Sequence, residues 1–433
     1  MVNKDIKDKK NYLRKSREIK TMRRSFSTVR RRQKNNKCRL PDLEYRKQRL
    51  RQNREKSIGN DALLNLAVQN LERNGIKVCM AKTKEEAIAL VYAEIGGEKL
   101  MVKSKSNVTK EIGLTRSIED KGIKVIETDI GDRIIQILGE SSSHPTGPAS
   151  HLSRYEIAHG LSGYFGKHIE PDAEDIVEII KSDIVGFVDM ANIGITGANA
   201  IAAEEGAVLL MHNEGNIIQV ATRPGKHIIV VGIDKIYPDI EEAINMLKLQ
   251  TFYATGSLST SFINIISGVS QTADIEKQLF KGIHGPREIC LILVDNHRSE
   301  IANSEYRELL YCIGCGQCLL VCPAYNVYGS QFGVNSQLGG RGVVYAMLAG
   351  ESSSDHTVEI CLSCRHCQKN CPLGINTPSI VSELRWQQHE KLREPYLAKA
   401  YDFVKAHIGW IGDAIKLEAA ILLTRLLEPF DRE

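Results

Sequence analysis

Eight of the eleven cysteines lie between Cys312 and Cys371, in two copies of one pattern. The first copy is Cys312, Cys315, Cys318 and Cys322, followed by Pro323. The second is Cys361, Cys364, Cys367 and Cys371, followed by Pro372. Each reads C-x2-C-x2-C-x3-C-P, and it is the one true repeat in the chain. Two intervening residues let successive thiolates curl around one iron–sulfur cubane and reach three of its irons. The fourth cysteine follows about one helical turn later and points away, and the proline fixes the backbone there. Where two such clusters occur, this fourth cysteine ligates the other one. The spacing therefore assigns Cys312, Cys315, Cys318 and Cys371 to one [4Fe–4S] cluster. A second takes Cys361, Cys364, Cys367 and Cys322. The competing ion is zinc, which takes cysteines in pairs in a tetrahedral set. Two triplets plus two crossing cysteines offer no such grouping, so the motif reads as two iron–sulfur clusters that pass electrons. Their potentials depend on hydrogen bonds to sulfur and on exposure, which spacing does not give.

The other three cysteines, Cys38, Cys79 and Cys290, are scattered. A secreted disulfide scaffold is short and cysteine-dense throughout. Here the cysteines are local, and the first thirty residues are basic without an apolar h-region, unlike a signal peptide. The expected compartment is a reducing cytoplasm, where thiolates stay free to bind metal. An organelle transit peptide is the minority reading of the Arg-rich start. No run of ~18 uncharged apolar residues occurs, so no membrane span is expected. The 433 residues, 42% apolar and 25% charged, suffice for two or three domains.

Charge divides the chain. Residues 1–57 hold 22 Lys+Arg and 6 Asp+Glu, or +16, which leaves −12 for the rest of a chain of net charge +4. These residues read as a basic N-terminal arm, solvated and partly disordered, docking on the acidic body or on a partner. Pro41 breaks it, and the following LEYRKQRLRQNREKSIG can form a helix. Nucleic-acid binding needs the same charge, but no zinc finger or RNA-recognition signature accompanies it. Residues 58–300 alternate helix and strand, which favours a largely parallel sheet covered by helices. DALLNLAVQNLERNG, KEEAIALVYAEIG, VTKEIGLTRSIEDKG and DIEEAINMLKLQ read as helices. KVCMA, KLMVKS and KVIETDI read as strands. EPDAEDIVEIIKSDIVGFVDMAN makes one or two helices, and SSSHPTGPASH is a loop. Residues 301–390 hold the cysteines, with GGRGVVYAMLAG helical between the blocks. The tail, 391–433, reads as a helix with Ile411, Ile415, Ala419, Leu422 and Leu426 on one apolar stripe.

The α/β part offers several loops of interest. Val102, Lys103, Ser104, Lys105, Ser106 and Asn107 end a strand and start a helix. Such a junction holds an anion or simply caps the helix. Glu127, Thr128 and Asp129 end the next strand, and His144 and His151 flank the Pro/Gly loop. Gly194, Gly197, Glu204, Glu205, Gly206, Asn213, Glu214 and Gly215 concentrate Gly, Asn and carboxylate as a ligand pocket does. Lys105, Glu127, Glu204 and Glu205 are the candidate catalytic residues, though the ordinary role of each carboxylate is structural. Asp295, Asn296, His297 and Arg298 line or cap the junction with the cysteine region. No G-x-G-x-x-G follows a strand, and no P-loop, H-E-x-x-H or G-x-S-x-G appears.

The segments VKSKSNVTKEIGL, ETDIGDRIIQ, GITGANAIAAEEGAV, NEGN and DNHR, followed by the two cysteine blocks, resemble the lactate-utilization iron–sulfur proteins of the B type. The resemblance runs from about residue 45 to about residue 390. It implies an α/β LUD domain, similar in fold to ribose-5-phosphate isomerase and CoA-transferases, followed by an α-helical two-cluster ferredoxin-like domain. It implies an electron-transfer subunit of a cytoplasmic system that oxidises a 2-hydroxy acid, L-lactate to pyruvate, and is not catalytic alone. It further implies two partners: a cysteine-rich redox subunit of the heterodisulfide-reductase type, and a second, smaller LUD protein. The LUD pocket would take a small 2-hydroxy acid or a nucleotide. Only the cluster cysteines carry over residue by residue, and the tail is shorter than the family's. The alternatives are electron transfer in another heterodisulfide-reductase-like complex, or a transferase or isomerase acting through Glu204, Glu205 or Lys105 with structural clusters.

Overall fold

The computed structural model describes residues 2–140, 147–149, 151–351 and 357–387, with side chains from residue 19 on. His144 and the apolar stripe at 411–426 fall outside these residues. In chain order come helices α1 (Val2–Asn36), α2 (Leu43–Ser57) and α3 (Asp61–Arg73), strand β1 (Lys77–Ala81), α4 (Lys84–Ile95) and β2 (Leu100–Lys103). Then follow α5 (Asn107–Glu111), α6 (Leu114–Glu119), β3 (Lys124–Glu127), α7 (Ile130–Leu138), α8 (Arg154–Phe165) and α9 (Ala173–Met190). The next group is β4 (Ile193–Thr196), β5 (Ala200–Ala202), β6 (Ala207–His212), α10 (Asn216–Thr222), β7 (Lys226–Gly232), β8 (Ile236–Tyr237) and α11 (Ile240–Thr255). Strands β9 (Phe262–Ile266), β10 (Gln271–Thr272), β11 (Phe280–Lys281) and β12 (Glu288–Val294) complete the α/β part.

Six strands form one sheet in the order β1-β12-β7-β4-β2-β3, and every pairing is parallel. Helices cover both faces, so the inner strands read as unbroken apolar runs rather than alternations. IIVV in β7 and CLILV in β12 are buried on both sides. Side-chain caps start the main helices: Asn60 for α3, Thr83 for α4, Asp129 for α7, Asp172 for α9 and Asp239 for α11. Helix α9 buries Ile176, Ile180, Ile184 and Val188, one stripe at fourfold spacing. A second sheet, β8-β5-β6-β9, leans on α2 and α11. Among the described residues no helix is long and apolar enough to cross a membrane.

Two expectations change. The segment VTKEIGLTRSIEDKG is two helices, not one, because Gly113 takes the left-handed conformation at φ +67° and turns the chain. The basic arm docks on the body and forms a helix after Pro41, as expected, but the part before Pro41 is helix rather than solvated chain. These helices are α1 and α2, and Met22, Phe26, Leu43 and Leu50 are buried. These four share one apolar core with the second sheet, α11 and the cysteine region, including Leu309, Tyr325 and Val343. Three apolar residues per two helical turns are enough to seat a helix, even one whose other faces are all charge.

Candidate iron–sulfur site

Each cysteine block is a tight loop that feeds one short helix. The first runs from a 3-10 turn at Arg307–Tyr311 through Cys312 to a helix at Gln317–Val321. The second runs from a 3-10 turn at Val358–Ile360 through Cys361 to a helix at His366–Asn370. Corresponding positions share a left-handed backbone: Gly314 and Gly316, both at φ +71°, and Ser363 and Arg365, at +48° and +61°. Glycine adopts this conformation without penalty, whereas a side chain holds it at a cost of about 1–3 kcal/mol. The repeat is thus a repeat of backbone shape, which the second block keeps against local preference. Backbone N–H groups point at sulfur: Gly314 N, in the turned loop, donates to Cys312 Sγ at 3.4 Å, and Tyr325 N, at the start of a short helix, to Cys322 Sγ at 3.4 Å.

The fold brings the eight cysteines into two adjoining cavities. Cys312, Cys315, Cys318 and Cys371 line the first, and Cys322, Cys361, Cys364 and Cys367 line the second. Cys318 and Cys367 stand in the wall between and face both. Cys371 therefore sits with the first block and Cys322 with the second. The donor set suits a cubane better than a single ion. Tetrahedral zinc holds sulfurs about 3.8 Å apart, from Zn–S bonds near 2.3 Å. Among the described residues, the only three metal-type ligand atoms within 4.8 Å of one another belong to Cys79, Glu94 and Cys290, none of them in the blocks. Burial pushes the Cys367 thiol up to about 12 and also raises Cys315, Cys318, Cys322 and Cys371. Thiols so placed ionise only when a cation compensates them.

The sequence reading missed two lining residues, Arg341 and Thr377, which face both cavities. Arg341 lies in the first turn of the helix Gly339–Leu348. Its guanidinium donates to Leu309 O at 3.2 Å, and its Nε is buried without a partner among the described residues. The sequence did hold a signal: Arg341 is the only Lys or Arg between the blocks. A fixed cation beside both thiolate sets favours the state with one more electron. Arg341→Gln is expected to lower both midpoint potentials by roughly 60 mV, a tenfold change in reduced-to-oxidised ratio for a one-electron centre. Anaerobic redox titration read by electron paramagnetic resonance checks this, with iron content unchanged.

The α/β candidates separate into two places. The order of the parallel sheet reverses between β2 and β4, and ligands favour the carboxyl ends of strands at such a point. Lys105 lies there, 3.6 Å from Asp129. Glu127 is nearby, but its carboxylate takes the buried Lys103 ammonium at 2.8 and 2.9 Å. Glu214 joins this group by accepting from Ile130 N at 3.3 Å. Burial, then Asp129, pushes its carboxyl above the ordinary range. Ser106 caps α5 by accepting from Thr109 N. Glu204 and Glu205 are elsewhere, in an exposed turn that Asn70 and Asn74 hold just before β1 begins. Glu205 accepts from Ile240 N at the start of α11, a capping role. His151 is buried.

The loop after β4 is linked to the first cysteine block through helix α11. Gln250 of α11 donates to Ile313 O at 2.7 Å and accepts from Asn199 Nδ2 at 3.1 Å. A buried ionic network secures the same junction. Arg298 donates to Asp234 Oδ1 at 2.7 Å and to both Glu111 oxygens at 2.9 and 2.8 Å. Arg54 of α2, fully buried, donates to Asp234 O and to Leu310 O. Lys235 pairs with Asp234 and donates to Cys312 O. Asn296 and the Tyr345 hydroxyl both donate to Glu111, so the expected junction role of residues 295–298 is what Asn296 and Arg298 perform.

Residues 64–294 match the LUD domain, and residues 308–375 match the 4Fe-4S dicluster domain. The chain is 32% identical over 415 residues to YkgF of Escherichia coli K12, described as an uncharacterized electron transport protein, covering 93% of this chain and 86% of that one. It is 31% identical over 366 residues to lactate utilization protein B of Bacillus cytotoxicus, covering 84% of this chain and 75% of that one. Among solved structures, a DUF162 family protein from Deinococcus radiodurans matches at 15% identity and a TM-score of 0.31, over 54% of this chain and 97% of that one. With its thiolate cavities joined to a parallel α/β domain, this chain belongs to the LUD-domain family, among the members that carry a 4Fe-4S dicluster domain and serve iron–sulfur electron transfer.

Proposed function

We propose that this chain is the electron-transfer subunit of a complex that oxidises a small 2-hydroxy acid, with L-lactate as the first candidate. The observation that carries this reading is the hydrogen-bond relay from Asn199, in the loop after β4, through Gln250 to Ile313 of the first cysteine block. Cys312, Cys315, Cys318 and Cys371 would hold one [4Fe–4S] cluster, and Cys361, Cys364, Cys367 and Cys322 the other. Bound there, the clusters supply two one-electron carriers in close series. The chain's own residues set the conditions around them. Arg341 compensates negative charge, backbone N–H groups stabilise sulfur, and the first set is screened by the burial of Cys315 while the second is more open at Cys364. Lys105 offers a cation for a carboxylate, and Glu214, with its raised proton affinity, faces the same loops. The LUD domain is read as similar to ribose-5-phosphate isomerase and CoA-transferases, and the cysteine domain as a helical ferredoxin variant. Lactate is favoured because a relative over three quarters of its length is named for lactate utilization.

The reading includes a cysteine-rich redox partner of the heterodisulfide-reductase type and a smaller LUD protein, in the cytoplasm. It is tested by anaerobic purification from the native host with co-purifying proteins, then dye reduction with a panel of 2-hydroxy acids. Lactate-dependent reduction that stops when this chain is depleted is the expected result. Equal reduction with and without the chain would remove the lactate assignment.

A further inference from the structure

Helix α1 carries a charged face to which the proposed function assigns no task. Residues 19–41 contain nine Lys and Arg and no Asp or Glu. On the helical period, Lys20, Arg23, Arg24, Arg30, Arg31 and Lys34 share one side, and all six are exposed. The opposite side buries Met22 and Phe26 and seats Val29 on the core. Among the described residues, no ion pair engages Lys20, Arg23, Arg24, Arg30, Arg31 or Lys34; the first ion pair in the N-terminal helices joins Arg46 to Asp42.

Through that buried side, helix α1 packs beside the end of the first cysteine block, and Arg23 reaches over from the basic face. The Phe26 ring stacks on Tyr325, with centroids 6.3 Å apart. Tyr325 N is the donor to Cys322 Sγ. Arg23 donates twice to Asn326 O, at 2.9 and 2.6 Å. The next two residues, Val327 and Tyr328, are 53% and 45% exposed. A basic ridge thus borders an exposed apolar pair that lies a few residues from a cysteine sulfur.

We propose that this surface docks an acidic electron-carrier protein. The inference rests on the electron-carrier reading above and adds the place and the charge of the partner. A small apolar centre with a charged rim is the anatomy of a transient redox contact. Unpaired charge of one sign steers an oppositely charged partner and raises its encounter rate 10- to 1,000-fold at low salt. A nucleic acid would meet the same charge but gains nothing from an apolar pair beside a cysteine block. A second copy could bring its acidic body to the ridge, and its contact would consume the surface rather than relay electrons.

The test compares the full chain with R24E/R31E/K34E, both prepared anaerobically. None of these three side chains packs against the core. A purified acidic [2Fe–2S] ferredoxin is the probe, and basic cytochrome c is the control. Calorimetry gives affinity over a range of ionic strength, and stopped flow gives electron exchange with the dithionite-reduced protein. The native chain is expected to bind ferredoxin at low salt, with affinity falling as salt rises. The triple variant should bind at least tenfold more weakly with a flatter salt dependence, at unchanged iron content. Tyr328→Ser should weaken binding while keeping the salt slope. Unchanged ferredoxin affinity in the triple variant would overturn the proposal. So would a variant that loses only duplex DNA binding or only self-association. Failure of the electron-carrier reading itself shows separately, as a native protein without a dithionite-bleached chromophore.

Discussion

Cys371→Ser is expected to empty the cluster held by Cys312, Cys315 and Cys318, and to leave the cluster of its own block in place. Iron should fall from about eight to about four per chain. The reason is the arrangement of the cavities, in which Cys371 stands with the first block and Cys322 with the second. Double variants turn the crossing into a count. If the last cysteines exchange, C315S/C371S removes two ligands from one cluster and still leaves about four irons. C364S/C371S then damages both clusters and leaves almost none. If each block kept its own cluster, the two results would be reversed. Iron analysis after anaerobic purification, beside the reduced paramagnetic resonance spectrum, decides between them.

The second large effect concerns the junction. Arg298→Met should destabilise the fold by about 3–5 kcal/mol, the usual cost of leaving buried charge uncompensated. Asp234 is buried, which alone would raise its pKa, but Lys235, Arg298 and Arg54 hold its carboxyl far below the ordinary range. Removing Arg298 strips a cation from both Asp234 and Glu111. The sign with pH follows from the depressed carboxyl. Its stabilisation is complete above the unfolded value of about 4 and is lost as pH falls from there toward the folded value. Asp234→Asn should therefore flatten the acid side of the stability curve. Anaerobic chemical denaturation between pH 3 and 7 measures both variants. Equal midpoints for native protein and Arg298→Met would show that the network holds nothing together.

The site was legible where chemistry fixes spacing. Cysteine blocks read directly because a cubane dictates how many residues separate its ligands, and the proline after each block marks the crossing residue. Strands β1, β2 and β3 read as well, as KVCMA, KLMVKS and KVIETDI between helical patterns, whereas β12 was not singled out although it is an unbroken apolar run. Other features were not legible because they are made by distant residues. Asp234 and Arg54 are 180 positions apart, and neither stands in a motif. Lys103 takes Glu127 through strand neighbours β2 and β3, which left Lys105 looking freer of local company than it is. Helix α1 was obscured by its own charge. Met22, Phe26 and Val29 mark one face, yet three apolar residues among nine cations read as solvated chain. Helix α7 was missed because ETDI continues a strand pattern up to Asp129, and the cap that starts the helix is that same aspartate.

Everything rests on two cysteine quartets each holding a cubane cluster. The most direct measurement is metal and sulfide analysis of native protein prepared without oxygen, with Mössbauer spectra of iron-57-enriched samples. About eight irons and eight sulfides per chain are expected, all in [4Fe–4S] signatures, with coupled paramagnetic signals on reduction. A colourless protein, or one carrying zinc in place of iron, would contradict it.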